Sequence, residues 1–514
     1  MLPVAALLLG SAALQGCGSN DAQASSEAAA AANDFRQGNY SRAGNHIRNA
    51  LAIRDDISEY WMLLARISLA QGRMGAAFNA YESVLSLDRA NVEALRGACR
   101  LGVTMGDPEK VGRYADQLLL LNPDDPLGLI TKGGLALRAG DRAAARQYSD
   151  RVLTANPADI DGLILRSRLL LIEHKLKDAA VTLEESIKTG GDPTSRLDLL
   201  TEVYSAGRDR AGFEDATKRL AQAQPADTSI QLRYADMLYD AGRLDEARTT
   251  VHALMKVVPD DVVVANSILD LWLKQGSDAL DLDRIVQDAR SVSLEMRAAY
   301  GQFAIDAGHP ELAIAILAAD AGGPAGAPGA ADAKATYALA IGMRGETAEA
   351  QRLIAQALGA DGTNPRALLA RSRLYAGTGK LTEAIADARR VLADDSANVS
   401  ARILLSDYLL KRGDDLLGAN ALRDGVRESP QDLRMTRRLV AYLIQQGKKE
   451  EAARAIGELA GQLPVSLRVQ RMQAELCPKL GSTSCKSRPT APEQAEPDTP
   501  DETGGGSNAT APAG

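Results

Sequence analysis

At 514 residues the chain is too long for one compact core, so several domains or a repeat array are expected. Hydrophobic residues make up 45%, charged residues 25% and aromatics only 4%, a mix suited to helices joined by small and aliphatic side chains. The formal net charge of −8, with no basic cluster, argues against a nucleic-acid binder.

Residues 3–16, PVAALLLGSAALQG, are apolar or small and run straight into Cys17 and a polar stretch. The run is too short to cross a bilayer comfortably and reads as the apolar region of a secretory signal. Leu14, Gly16 and Cys17 resemble the lipobox of bacterial lipoproteins, with Gln15 an unusual occupant of its position. That resemblance implies a signal peptide over 1–16, acylation of Cys17 and a linker over 17–27. Gly18 in place of Asp then implies sorting to the periplasmic face of the outer membrane. No Lys or Arg precedes Arg36, which departs from the signal pattern. A start upstream of Met1 and a plain apolar tail on a cytosolic chain both stay open.

Beyond this segment a comb of glycines appears. Gly38, Gly72, Gly106, Gly140, Gly242 and Gly276 keep one constant step or a multiple of it, and Gly345, Gly379, Gly413 and Gly447 repeat that step. Pro123, Pro157, Pro225, Pro259, Pro430 and Pro464 each fall half a step after a comb position. The segments between the marks carry helical apolar periodicity. Gly ends one helix in a left-handed turn, and Pro with nearby Asn or Asp closes the next. Five residues after the comb a small side chain recurs, at Ala43, Ala77, Ala145, Ala179, Ala247, Ala350, Ala384 and Ala452, where it lets two helices approach. Leu51, Leu85, Leu119, Leu153, Leu358 and Leu392 supply an aliphatic stripe.

Trp61, Leu64, Ala65, Gly72, Ala77 and Tyr81 in one repeat, and Leu439, Gly447, Ala452, Ile456 and Pro464 in the last, resemble the tetratricopeptide (TPR) family. The resemblance implies an all-α solenoid of about thirteen helix-turn-helix repeats in a right-handed superhelix. The array is expected over 28–320 and 331–466. Between them, Ala321 to Gly329 is rich in Gly, Pro and Ala, and 321–330 reads as a loop or hinge. Near residue 190 the comb reads as slipping by one, with Gly207 where 208 is expected. Residues 467–480, with Val469, Met472 and Leu476 on one face, read as a capping helix. Residues 481–514 read as a disordered tail.

No catalytic constellation stands out. AGTGK at 376–380 lacks the first Gly and the Ser or Thr of a phosphate loop, and G-x-S-x-G, H-E-x-x-H and CxxC are all missing. His46, His174, His252 and His309 are too scattered for a metal site. No enzyme activity and no cofactor are expected. Cys99 reads as a buried packing residue, and Cys477 with Cys485 as a candidate disulfide in an oxidising compartment.

In the family the first helix of each pair lines the concave groove. Its ninth position carries Arg66, Arg100 and Arg168 here, with Arg96 and Arg138 at other groove positions. Farther on that position holds Asp236, Asp270, Arg373 and Asp407. The N-terminal groove is therefore expected to be basic and to engage an acidic segment or polymer, unless these arginines pair with neighbouring carboxylates. The expected role is an envelope scaffold binding proteins or peptides, with exopolysaccharide secretion the first assembly by analogy. A soluble cytosolic adaptor is the alternative.

Overall fold

The structure is a computed structural model that describes residues 15–485 except 106, 260, 277–278 and 324–328. The described residues form thirteen consecutive helix pairs and a final unpaired helix, stacked as an all-α solenoid without strands. A typical pair is Ser58–Ala70 with Met74–Leu87. The first helix of a pair is usually opened by a carboxylate or carboxamide that accepts backbone N–H groups of the first turn. Asp125, Asp159, Asp227, Asp261, Asn364, Asn398 and Asp432 all do so. The second helix starts without a side-chain cap at most pairs. There the chain has just turned through the comb residue, and its backbone closes the preceding helix instead, as in Gly72 N–H to Leu69 O at 2.9 Å.

Where described, the comb glycines have positive φ, from 71° at Gly72 and Gly447 to 101° at Gly345. The expected slip near residue 190 does not occur. His174 and Arg208 stand one full step apart in the unbroken register, and both take φ of 56°. They occupy the left-handed turn without being glycine, whereas Gly207 at φ −75° is ordinary helix end. The extra glycines of this region, Gly190 and Gly191, bend the link between repeats. Arg196 fills that bend. It is fully buried and donates to the carbonyls of Ser186, Gly190 (2.7 Å) and Asp192 (3.0 Å).

The small residues five past the comb lie at the centre of each pair. Ala43, Ala77, Ala179, Ala247, Ala350, Ala384 and Ala452 are all 0% exposed. Of the leucines, Leu51 and Leu85 are buried and the others half-buried.

The chain divides into two compact units, 1–223 and 224–514. The division lies between repeats rather than at the Gly/Pro stretch, both flanks of which belong to the second unit. Those flanks are tied down. Buried Lys334 donates to the carbonyls of Ala321 (2.8 Å) and Gly323 (3.0 Å), and Arg297 pairs with Asp320 at 3.0 Å. Helices Leu294–Asp306 and Ala330–Met343 pack together across it. A shortened helix, Ile285–Ala289, replaces a full second helix and accounts for the short step from Gly276 to Gly308.

At the N-terminal end, the segment 17–27 expected as a linker is helical, because Gln15–Arg36 is the first helix of the first pair. Ala24 and Ala31 are fully buried there, and His46 Nδ1 lies 2.7 Å from Glu27. The expected signal over 1–16 falls outside the described residues except for its last two positions, as does the Cys17 side chain. At the other end, Leu467–Leu480 lays Val469, Met472 and Leu480 on the apolar cluster of the last pair. Residues 483–485, counted with the tail, form a short 3-10 turn. Residues 486–514 lie outside the described residues. Among the described residues no helix is long and apolar enough to cross a membrane.

Candidate functional site

The five arginines singled out in the first unit lie on first helices of their pairs and are exposed. Three of them are held by the neighbouring repeat. Arg66 grips Glu93 through two nitrogens, at 2.8 and 2.5 Å. Arg96 reaches Asp125 at 2.6 Å, and Arg138 donates to the Val103 carbonyl at 2.9 Å. Arg100 and Arg168 have no ion pair among the described residues. Of the five arginines expected to make a basic groove, two are thus left without a described ion pair, because groups of adjacent repeats engage the others. With both partners about half exposed, the Arg66–Glu93 pair contributes on the order of 0.5 kcal/mol.

The second unit carries a cavity of about 960 Å³. First helices Thr228–Asp240, Val262–Gln275 and Pro365–Gly377 supply much of its wall. The wall mixes leucines with charged and amide side chains, among them Asp236, Asn266, Asp270, Gln302, Arg366 and Arg373. Three of the ninth-position residues noted in the sequence, Asp236, Asp270 and Arg373, therefore face one space.

Residues far apart in sequence meet around this cavity. Arg366 donates to Asn266 at 2.6 Å, and Arg373 to Asp306 at 2.7 Å. Arg434 bridges Asp432 and Asp270, both at 2.6 Å. Arg468 reaches Asp236 at 2.9 Å, Asp240 at 3.1 Å and the Gln275 side-chain oxygen at 2.7 Å. Asp240, nearly buried, also accepts from the Ser466 hydroxyl at 2.7 Å and from the backbone N–H of Leu467 at 2.8 Å and Arg468 at 3.1 Å.

Burial by itself would raise the Asp270 carboxyl, but Arg434 and Lys274 overcome it and hold the group below the usual aspartate range. Asp407 goes the other way. Burial lifts it above that range, and Arg438 offsets only part of the rise. Neither Asp240, Arg434 nor Arg468 was singled out in the sequence. No local pattern marks residues whose partners lie 164 to 232 positions away.

Among the described residues no group of three His, Cys, Asp or Glu converges as a metal site. AGTGK is the turn around Gly379, with φ of 80°. Cys99 is fully buried, and burial pushes its thiol up to about 12, which leaves it inert at neutral pH. Cys477 and Cys485 form a disulfide, with Cα atoms 5.7 Å apart, that joins the final helix to the 3-10 turn.

The tetratricopeptide-repeat family model matches residues 29–92 and 333–399, one stretch in each unit. The chain carries tetratricopeptide repeats. Outside the matched stretches the same register of helix pairs continues. A relative is cellulose synthase operon protein C of Xanthomonas axonopodis pv. citri (strain 306), 26% identical over 289 residues. That match takes in 54% of this chain but only 17% of that protein. Solved structures similar to the array include pilF of Pseudomonas aeruginosa, 18% identical, covering 41% of this chain and 97% of that one with a TM-score of 0.31. Another is PilW, a type IV pilus biogenesis factor, 18% identical over 40% of this chain and 96% of that one, TM-score 0.33.

Proposed function

We propose that this tetratricopeptide array is a non-enzymatic scaffold for protein–protein interaction in a bacterial envelope. In this reading acylated Cys17 holds it at the periplasmic face of the outer membrane, where it serves an assembly such as exopolysaccharide secretion. The observation that carries the reading is the surface itself: stacked helix pairs presenting, in the second unit, a concave wall of leucines mixed with charged groups tied to one another, an arrangement suited to contact rather than bond-breaking. Likeness to a protein named for a cellulose synthase operon supports the choice of assembly. The Cys477–Cys485 disulfide supports an oxidising compartment. In the first unit, exposed Arg100 and Arg168 remain to meet acidic groups of a partner.

In-cell crosslinking from native membranes, followed by identification of the captured proteins, tests the scaffold. Envelope proteins of a polysaccharide-export assembly are expected, and capture of cytosolic proteins alone overturns the reading. Mass spectrometry of the N-terminal peptide tests the anchor: an acylated Cys17 is expected. An unmodified Cys17 together with reduced Cys477 and Cys485 would establish a cytosolic adaptor instead.

A further inference from the structure

Each repeat of a solenoid needs only its neighbours for stability, and curvature follows from a small rotation per repeat. The second unit has contacts that this architecture does not require. The first turn of Leu467–Leu480 meets the end of Thr228–Asp240, and Arg434 meets Asp270, so the last two first helices reach back to the first two of the unit. Every one of these bonds is polar with at least one charged partner. The apolar cluster of the last repeats gathers its buried residues from 422–485 and takes none from 228–275. Among the described residues the closing contacts are ion pairs and hydrogen bonds, and Asp236 and Asp270, with side chains 42% and 44% exposed, leave them open to salt.

The closed form also leaves a donor without a partner. Arg366, whose side chain is 8% exposed, has a buried Nη1 with no hydrogen bond among the described residues. A buried donor left unpaired costs free energy that water would restore on opening.

We propose that the second unit is a clasp. Arg468 with Asp236 and Asp240, and Arg434 with Asp270, hold its first and last repeats together around the cavity. Their release spreads the repeats and opens the cavity to solvent. The helices stay folded in both forms, because the stacking of neighbours is untouched. Arg468 is the main tie, since it and the residues beside it bind two carboxylates and Gln275 together.

The test is the distance between spin labels on two exposed positions, Asp245→Cys and Glu475→Cys, in the full chain with Cys17→Ser and Cys99→Ser. At low salt one narrow, closed distance is expected. Raising NaCl to about 1 M, where screening shortens to about 3 Å, should move more than half of the population to longer separations while the helical circular-dichroism signal is kept. Arg468→Gln combined with Arg434→Gln should do the same at low salt, and Arg427→Gln, which breaks a surface pair elsewhere, should not. A closed distance that persists at high salt and in the double variant overturns the proposal. Opening by salt alone, with the folded double variant still closed, overturns the assignment to these residues. Should the double variant lose helicity, the salt series on the unsubstituted arginines decides.

Discussion

A turn conformation that only glycine adopts without strain recurs along the described repeats, and at two positions the chain meets it with other side chains. His174 and Arg208 are both exposed at φ of 56°. Their neighbours' stacking imposes a backbone that costs an L-residue about 1 kcal/mol or more. His174→Gly and Arg208→Gly should each raise stability by about 0.5–1 kcal/mol in urea unfolding, while Gly447→Ala should lower it by about 1 kcal/mol. The comb was legible because the demand on the backbone is local. Positions 174 and 208 were not, because residue type alone does not reveal a conformation forced from outside. Asp270 offers a second residue-scale test. Its carboxyl titrates below its unfolded value, so its pairing stabilises the fold above about pH 4 and is lost as pH falls through the lower folded value. Asp270→Asn should therefore melt earlier than the parent chain at pH 7, by about 0.5–1 kcal/mol, with the gap closing as acid protonates the carboxyl in the folded chain.

Element boundaries followed the marks in the sequence closely where a carboxylate or carboxamide opens a helix and a comb residue ends it. They departed where tertiary partners took over. The segment after Cys17 looked like a linker, being short of large apolar residues, but Ala24 and Ala31 bury completely against the next helix. Small side chains suffice for a close pair. The Gly/Pro stretch, read as a loop or hinge by composition, is turn where it is described, and Lys334, whose ammonium reaches back to two of its carbonyls, anchors its start. Buried cations of this kind are the least readable feature, since a sequence gives no hint that a charge will end inside. Arg196→Met keeps the aliphatic stem but strands three carbonyls, and should destabilise the first unit by about 2–4 kcal/mol. Lys334→Met should cost the second unit about 1–3 kcal/mol and raise amide exchange around 320–323. Thermal melts with exchange mass spectrometry check both.

At the scale of the whole molecule, the solenoid was readable from periodicity and the site only in part. Of the five arginines chosen for an open basic groove, Arg66, Arg96 and Arg138 are engaged by adjacent repeats. Asp236 and Asp270 of the second unit turned out to have partners more than 160 positions away. Pairings of that span depend on curvature accumulated over many repeats, which spacing does not encode. The Cys477–Cys485 bridge, closing a separation of eight residues, should contribute about 2.5 kcal/mol to holding the last helix. Reduction should speed amide exchange over 467–485 while leaving the first unit unchanged.

The final helix has two duties at once: its apolar face seals the last pair, and its opening turn grasps Asp240 from the start of the same unit. Most repeat arrays pulled from one end come apart link by link, each hairpin yielding alone. Here tension on the C-terminal tail is transmitted through Arg468 to a helix more than two hundred positions earlier, so the second unit resists peeling until that grip fails and then gives way as a block. A chain tethered at one end and loaded at the other would register such a yield as one sawtooth peak in place of a staircase.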